Sequence, residues 1–198
     1  MRIGILLFNE VEELDFVGPL EVFGVASTLK GGIEVVTLSK DGGQIRGRYG
    51  LRVQPDFSFN SCPQLDLMIV PGGRGAREAR YDRETIEFVK AQAARAKIAS
   101  VCTGALVLAE AGILDGKRAT THWAALDMLR KYPKVQVLEG VRFVREGTVA
   151  TSAGISAGID LALEIVRELH GEQAAAEVAK EMEYKPGCGF ETQKSRPS

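Results

Sequence analysis

Four short, mostly apolar runs constrain the fold more than any other feature of the sequence: Ile3–Phe8, Ile33–Leu38, Leu65–Val70 and Ile98–Val101. Each is too short for a stable helix and reads as a strand covered on both faces. Helical patterns lie between and after them. Gly18-Pro19 opens one that carries Leu20, Val22, Phe23 and Ala26, with Pro19 suited to a first turn, and Gly31-Gly32 stops it. Asp82–Lys97 turns Ile86, Val89 and Ala93 inward, behind a start signal of Asp82 with Thr85 beyond it. Thr103–Ala111 follows the fourth run, and a helix over Trp123–Tyr132 is closed by Pro133. Residues 43–54, around Gly47 and Gly50, form a hairpin-like excursion. Short strands near 135–138, 141–144 and 148–151 precede helices over 156–169 and 172–183. Strands alternating with helices in this way predict an α/β domain with a largely parallel sheet. Such sheets bind ligands beyond the carboxyl ends of their strands, where the strand order reverses.

A chain of 198 residues that is 45% hydrophobic has the size and apolar content for one core. We expect a single domain over 1–184 and an extended tail over 185–198. The formal net charge of -1 leaves no positive surface for phosphates, so neither nucleic acid nor a polybasic membrane contact is expected. No apolar run approaches the roughly 18 residues of a membrane span, and the first residues do not read as a secretory signal. A cytoplasmic location is the expectation. Three cysteines, Cys62, Cys102 and Cys188, and two histidines, His122 and His170, suggest neither a disulfide framework nor a zinc site. No metal is expected.

Two post-strand loops bear on chemistry. Cys102 follows Ile98–Val101 directly and precedes a helix. A residue there sits on a sharp strand-to-helix turn, where helix N–H groups favour a thiolate; an ordinary buried cysteine is the competing reading. Gly104 lets backbone and substrate approach. Pro71-Gly72-Gly73 exposes backbone N–H groups that could stabilise developing negative charge, or is a plain turn. Asp15, in an apolar stretch before a helix, is either an N-cap or a semi-buried carboxyl that exchanges protons. Glu12 and Glu13 read as a solvated edge. His122, in Thr120-Thr121-His122-Trp123, is a candidate base whose place relative to Cys102 is open. Gly154-Ile155-Ser156-Ala157-Gly158 either permits close packing or lines the pocket. His170 reads as a helix C-terminal residue, and Cys62 and Cys188 as inert.

On these segments the sequence resembles the DJ-1/PfpI superfamily, and within it the branch that hydrates isocyanides. The matching stretches are Leu14–Phe23, Val70–Gly73, Ser100–Leu108, Gly116–Trp123 and Ala153–Asp160, in order from residue 1 to about 184. The resemblance implies a flavodoxin-like three-layer sandwich, similar to class I glutamine amidotransferase domains, in a homodimer. It implies Cys102 as nucleophile, Asp15 as its acidic partner and Thr103 as the hydroxyl residue after it. Gly72 and Gly73 would line the anion-stabilising side, with Gly104, His122, Trp123 and Ile155 around a small-molecule substrate. Peptidase members carry histidine after the cysteine; Thr103 stands there instead, which counts against peptide hydrolysis. Where the branch often has a proline pair before Phe190, this chain has Cys188-Gly189.

The implied reaction is attack of the Cys102 thiolate on an isocyanide, with Asp15 as acid and base through a thioimidate to an N-substituted formamide. It needs no metal or organic cofactor. Two alternatives accompany it. One is a stand-alone ligand-sensing relative of AraC-type regulators, whose DNA-binding module would need about a hundred further residues. The other is a DJ-1-like stress protein that handles reactive carbonyls or senses peroxide through Cys102.

Overall fold

The computed structural model describes residues 1–187. Cys188, Gly189 and the rest of the expected tail lie outside the described residues. A seven-stranded sheet runs in the order β10-β11-β7-β6-β1-β2-β5. Its members are β1 (Arg2–Leu6), β2 (Glu34–Ser39), β5 (Phe57–Ser58), β6 (Leu67–Val70), β7 (Lys97–Val101), β10 (Phe143–Glu146) and β11 (Val149–Ser152). All pairings are parallel except the antiparallel β10–β11 edge. Two short ladders stand apart: β3 (Ile45–Arg46) with β4 (Arg52–Val53), and β8 (Arg118–Ala119) with β9 (Gln136–Val137). The helices are α1 (Glu13–Lys30), α2 (Ala76–Ala79), α3 (Arg83–Ala93), α4 (Gly104–Glu110), α5 (Leu126–Leu129), α6 (Ala157–His170) and α7 (Glu172–Glu181).

The apolar strand runs follow from two cores, one on each face of the sheet. Ile3, Ile5, Leu67, Ile69, Ala99 and Val101 point into a core completed by Phe23 of α1, Leu161 of α6 and Val178 of α7. Their neighbours Leu6, Met68, Val70 and Ile98 point the other way, toward Val89 of α3 and Leu106 and Leu108 of α4. Alternate side chains serve opposite faces, so a strand buried on both must be apolar throughout. The result is the expected flavodoxin-like α/β sandwich.

The strand order reverses between β1 and β6. The chain leaves β1 for β2 on one side and returns through β6 to β7 on the other. Loops after β1, β6 and β7 therefore converge at one crevice, the usual ligand position of such sheets. An isolated bridge between Val11 and Gly73 ties the first two loops together.

Several elements differ from the sequence expectation. Helix α1 begins at Glu13 rather than at Gly18-Pro19, because Phe16 and Asp15 are buried and extend the packed stripe upstream. Pro19 lies inside the helix and removes only the N–H that would have met the Asp15 carbonyl. The helix expected over 123–132 breaks into a 3-10 turn, Trp123–Ala125, and the single turn of α5. Ala125 at φ -117, ψ 2 interrupts the continuous path. The hairpin over 43–54 forms as β3–β4, and Asp82 caps α3 by accepting from the Thr85 N–H at 3.0 Å. Strands β5 and β8 and helix α2 are too short to leave a periodic signal.

Candidate functional site

Cys102 stands at the end of β7 in a backbone conformation that L residues rarely adopt, φ 56. Such a residue costs about 1–3 kcal/mol and persists only where its surroundings hold it. Here the Cys102 N–H is shared between the carbonyls of Ser152 and Ala153, each at 3.2 Å. The Thr121 hydroxyl donates to the Cys102 carbonyl at 2.7 Å. The turn presents a buried thiol to the crevice.

The helix terminus was expected to favour a thiolate. Against it, burial, then the charge of Asp15, push the Cys102 thiol up to about 12, with a smaller opposing pull from the Thr103 N–H. Helix α4 has only seven residues, so its dipole is weak beside desolvation.

Asp15 faces the thiol from the first turn of α1 and is fully buried. It is not an N-cap; Glu12 holds that position and makes no side-chain cap. The Gly72 N–H donates to Asp15 Oδ2 at 2.9 Å, and Oδ1 is buried without a hydrogen-bond partner among the described residues. Burial raises the carboxyl from 3.8 to about 7; the Gly72 N–H pulls it back and the nearby Glu12 charge lifts it further. Smaller pulls toward ionisation come from the Cys102 thiol and the Ile155 N–H. The carboxyl and the thiol act on each other, so their proton losses belong to the pair rather than to either group alone.

Thr103 is also buried, and its hydroxyl both donates to the Gly73 carbonyl at 3.1 Å and accepts from the Gly73 N–H at 3.0 Å. The N–H groups of Gly72 and Gly73 are thus occupied by Asp15 and Thr103. This corrects the expectation that they stand free as anion-stabilising donors: they fix the acid and the elbow instead. Gly72 is squeezed between those two residues, where a Cβ would lie 2.5 Å from the Thr103 nitrogen and 2.8 Å from Asp15 Oδ2. At Gly104 a Cβ would collide with the Val70 carbonyl, so that glycine brings α4 against the end of β6.

Ile155 adopts φ 55, a genuine outlier for a β-branched residue, and so brings its N–H toward Asp15. His122 packs on Gly154, leaving no room for a Cβ there, and its Nδ1 accepts from the Ala124 N–H at 3.2 Å. Burial lowers its pKa, and it senses Glu12 and Arg48. Among the described residues it is hydrogen-bonded to neither Cys102 nor Asp15, and the carboxyl that acts on the thiol is that of Asp15. Trp123, 78% exposed, stands at the surface with its ring tilted beside that of His122. His170 ends α6, and Cys62 packs against the α3–α4 core with its thiol bonded to the Pro63 carbonyl.

The expectation of a solvated Glu12-Glu13 edge is also corrected. Glu12 is 5% exposed and pairs with Arg48 at 2.7 Å, while Glu13 Oε1 accepts from the Tyr49 N–H at 2.7 Å. The β3–β4 turn folds over both. Arg48, in a loop with no apolar period, left no sequence signal. Among the described residues no group of three or more His, Cys, Asp or Glu could hold a metal ion.

The sequence profile of the DJ-1/PfpI family matches residues 1–168. The chain is 41% identical over 193 residues to isonitrile hydratase of Pseudomonas putida, covering 97% of this chain and 82% of that protein. It is 31% identical to the HTH-type transcriptional regulator GbdR of Pseudomonas aeruginosa over 92% of this chain but 50% of the regulator, so it spans about half that protein's length. Its fold superposes on a ThiJ/PfpI family protein from Pseudomonas syringae with a TM-score of 0.86 and 34% identity, covering 97% of this chain and 78% of that one.

Proposed function

The chain belongs to the DJ-1/PfpI family, and on that premise we propose that it is a cysteine-dependent hydratase that adds water to an isocyanide, giving an N-substituted formamide. The observation that carries this reading is the Asp15–Cys102 pair: a buried thiol on a strained turn, facing a carboxyl raised to about 7. Among the described residues no histidine is hydrogen-bonded to either group. The similarity to isonitrile hydratase supports the substrate class.

In the first step the sulfur of Cys102 bonds to the terminal carbon of the isocyanide. The thiol proton, taken up by Asp15, is delivered to the substrate, leaving a thioimidate, R–N=CH–S–Cys102. Water then adds to that carbon while Asp15 accepts one of its protons and returns it to the nitrogen. Collapse of the tetrahedral adduct breaks the C–S bond, and the product R–NH–CHO leaves as the thiol is restored. A soft sulfur nucleophile suits the carbon, and a carboxyl with a pKa near neutrality can serve in both directions. Thr103 and Gly72 hold this pair in place. The small-molecule site lies in the crevice between the β1, β6 and β7 loops, in a cytoplasmic protein.

The test is formamide production from a panel of isocyanides by wild type and Cys102→Ala, beside methylglyoxal. Formation by wild type and its loss in the variant are expected. Formamide formed equally by Cys102→Ala, or methylglyoxal turnover with none on isocyanides, overturns the assignment. A ligand-sensing role is the second reading, favoured by the match to the regulator over nearly the whole chain.

A further inference from the structure

Helix α7 ends by turning the chain back beside itself. Glu183 adopts φ 49, its N–H donates to the Lys180 carbonyl at 3.0 Å, and the Tyr184 N–H donates to the Ala179 carbonyl at 2.9 Å. This is the Schellman arrangement, for which glycine is the usual residue, so a glutamate there carries a conformational cost. The returning segment is then pinned to α6. The buried Asp160 carboxylate accepts from the Tyr184 hydroxyl at 3.0 Å and from the Gly187 N–H at 3.3 Å. Tyr184, Lys185 and Pro186 thereby form a wall beside α7, and a groove of about 390 Å³ lies between the two.

The floor of this groove is a stripe of methyl groups from Ala175, Ala176 and Ala179, with Ala176 exposed. Such small side chains leave room for a thin apolar chain where larger ones would fill the space. The volume lies within the roughly 300–1,000 Å³ of small-molecule sites. The two ends differ in charge. At one end Arg167 is matched by Glu164 at 2.6 Å and by Glu172 at 3.9 Å. At the other, Lys180 and Lys185 are exposed and have no ion-pair partner among the described residues. From Glu172 to Lys180 the helix rises by about 12 Å, the length of a medium-chain acyl group. All of the lining residues come from α6, α7 and the segment after them, so none belongs to the crevice of Cys102. We propose that this groove is a second binding site, for a medium-chain carboxylate. The acyl chain lies along the alanine stripe and the carboxylate meets Lys180 and Lys185. A cationic amphiphile of the same length would bring its head group against two like charges.

The experiment titrates octanoate, decanoate and dodecanoate into the full chain by isothermal titration calorimetry, below the concentrations at which they form micelles. One-to-one saturable binding is expected, with a Kd for dodecanoate below about 1 mM. Affinity should rise by about two- to threefold for each added methylene. Ala176→Asp, which sets a negative charge on the exposed floor, should weaken dodecanoate binding by about tenfold or more. Lys180→Gln combined with Lys185→Gln should weaken it by about three- to tenfold, the modest effect of exposed ion pairs. Dodecyltrimethylammonium should not bind, and Cys102→Ala should bind dodecanoate as wild type does. Absence of saturable binding, the outcome if residues 188–198 or a second copy of the chain cover the groove, overturns the proposal. Equal affinity in Ala176→Asp and wild type, equal binding of the cationic amphiphile, or loss of binding in Cys102→Ala, which would place the ligand in the crevice, overturns it as well.

Discussion

A carboxyl in water ionises near pH 4; Asp15, buried against Gly72 and Cys102, does so only at about 7. The folded state therefore binds this proton more tightly than the unfolded chain. The stability it contributes is full below the ordinary value of 3.8 and is lost as pH rises through about 7. The difference is on the order of 4 kcal/mol, at about 1.4 kcal/mol per pKa unit. Asp15→Asn, which keeps the shape but never ionises, should abolish turnover. Its stability relative to wild type should grow by about 2–4 kcal/mol between pH 4 and pH 8, read by urea unfolding at each pH. A difference independent of pH would mean that Asp15 ionises freely in the folded protein. At this scale the sequence exposed the residue types and hid their surroundings. Asp15 and Cys102 stood out because each interrupts an apolar stretch beside an element boundary. That Gly72 and Gly73 spend their N–H groups on Asp15 and Thr103 depends on contacts between residues far apart in the chain.

At the scale of elements, the site depends on α4 pressing its first residue against the end of β6. Any side chain at Gly104 meets the Val70 and Pro71 carbonyls, which are backbone and cannot step aside. Gly104→Ala should cost about 1–3 kcal/mol by thermal or urea unfolding. It should also slow Cys102 alkylation at neutral pH as the elbow shifts. Unchanged stability would show that α4 slides without cost. Elements of four residues or more with a clear apolar period, such as β1, β6, β7, α3 and α6, were legible in the sequence to within a few residues. The start of α1 was not, since Pro19 suggests a first turn while burial of Phe16 extends the helix beyond it. The stretch over 123–132 has a helical pattern, yet its path breaks at Ala125.

Across the whole molecule, the β3–β4 turn covers the start of α1, and the 122–123 segment packs on Gly154. Tyr49, Leu51 and Trp123, in these two segments, are large, apolar and exposed. The expected state is a homodimer that covers such surface. Sedimentation equilibrium at micromolar concentration should give twice the 21.4 kDa chain mass, and a persistent monomer would refute it. Among the described residues no helix is long and apolar enough to cross a membrane. The described start of the tail is held by Asp160, which accepts from the Tyr184 hydroxyl at 3.0 Å and the Gly187 N–H at 3.3 Å.

By itself the sequence determined the layer architecture and the loops in which chemistry could reside. Strand and helix periodicities are local, and an apolar run buried on both faces has few other uses. The family resemblance added the expectation of a thiol paired with the Asp15 carboxyl, while His122 stayed open as a candidate base and Thr103 counted against peptide hydrolysis. Only the tertiary structure decided that Asp15 lies against Cys102, that burial outweighs the helix terminus at the thiol, and that Arg48 arrives to offset Glu12. These are matters of desolvation and charge between residues far apart in sequence. They exist only once the reversal of strand order between β1 and β6 has brought their loops together.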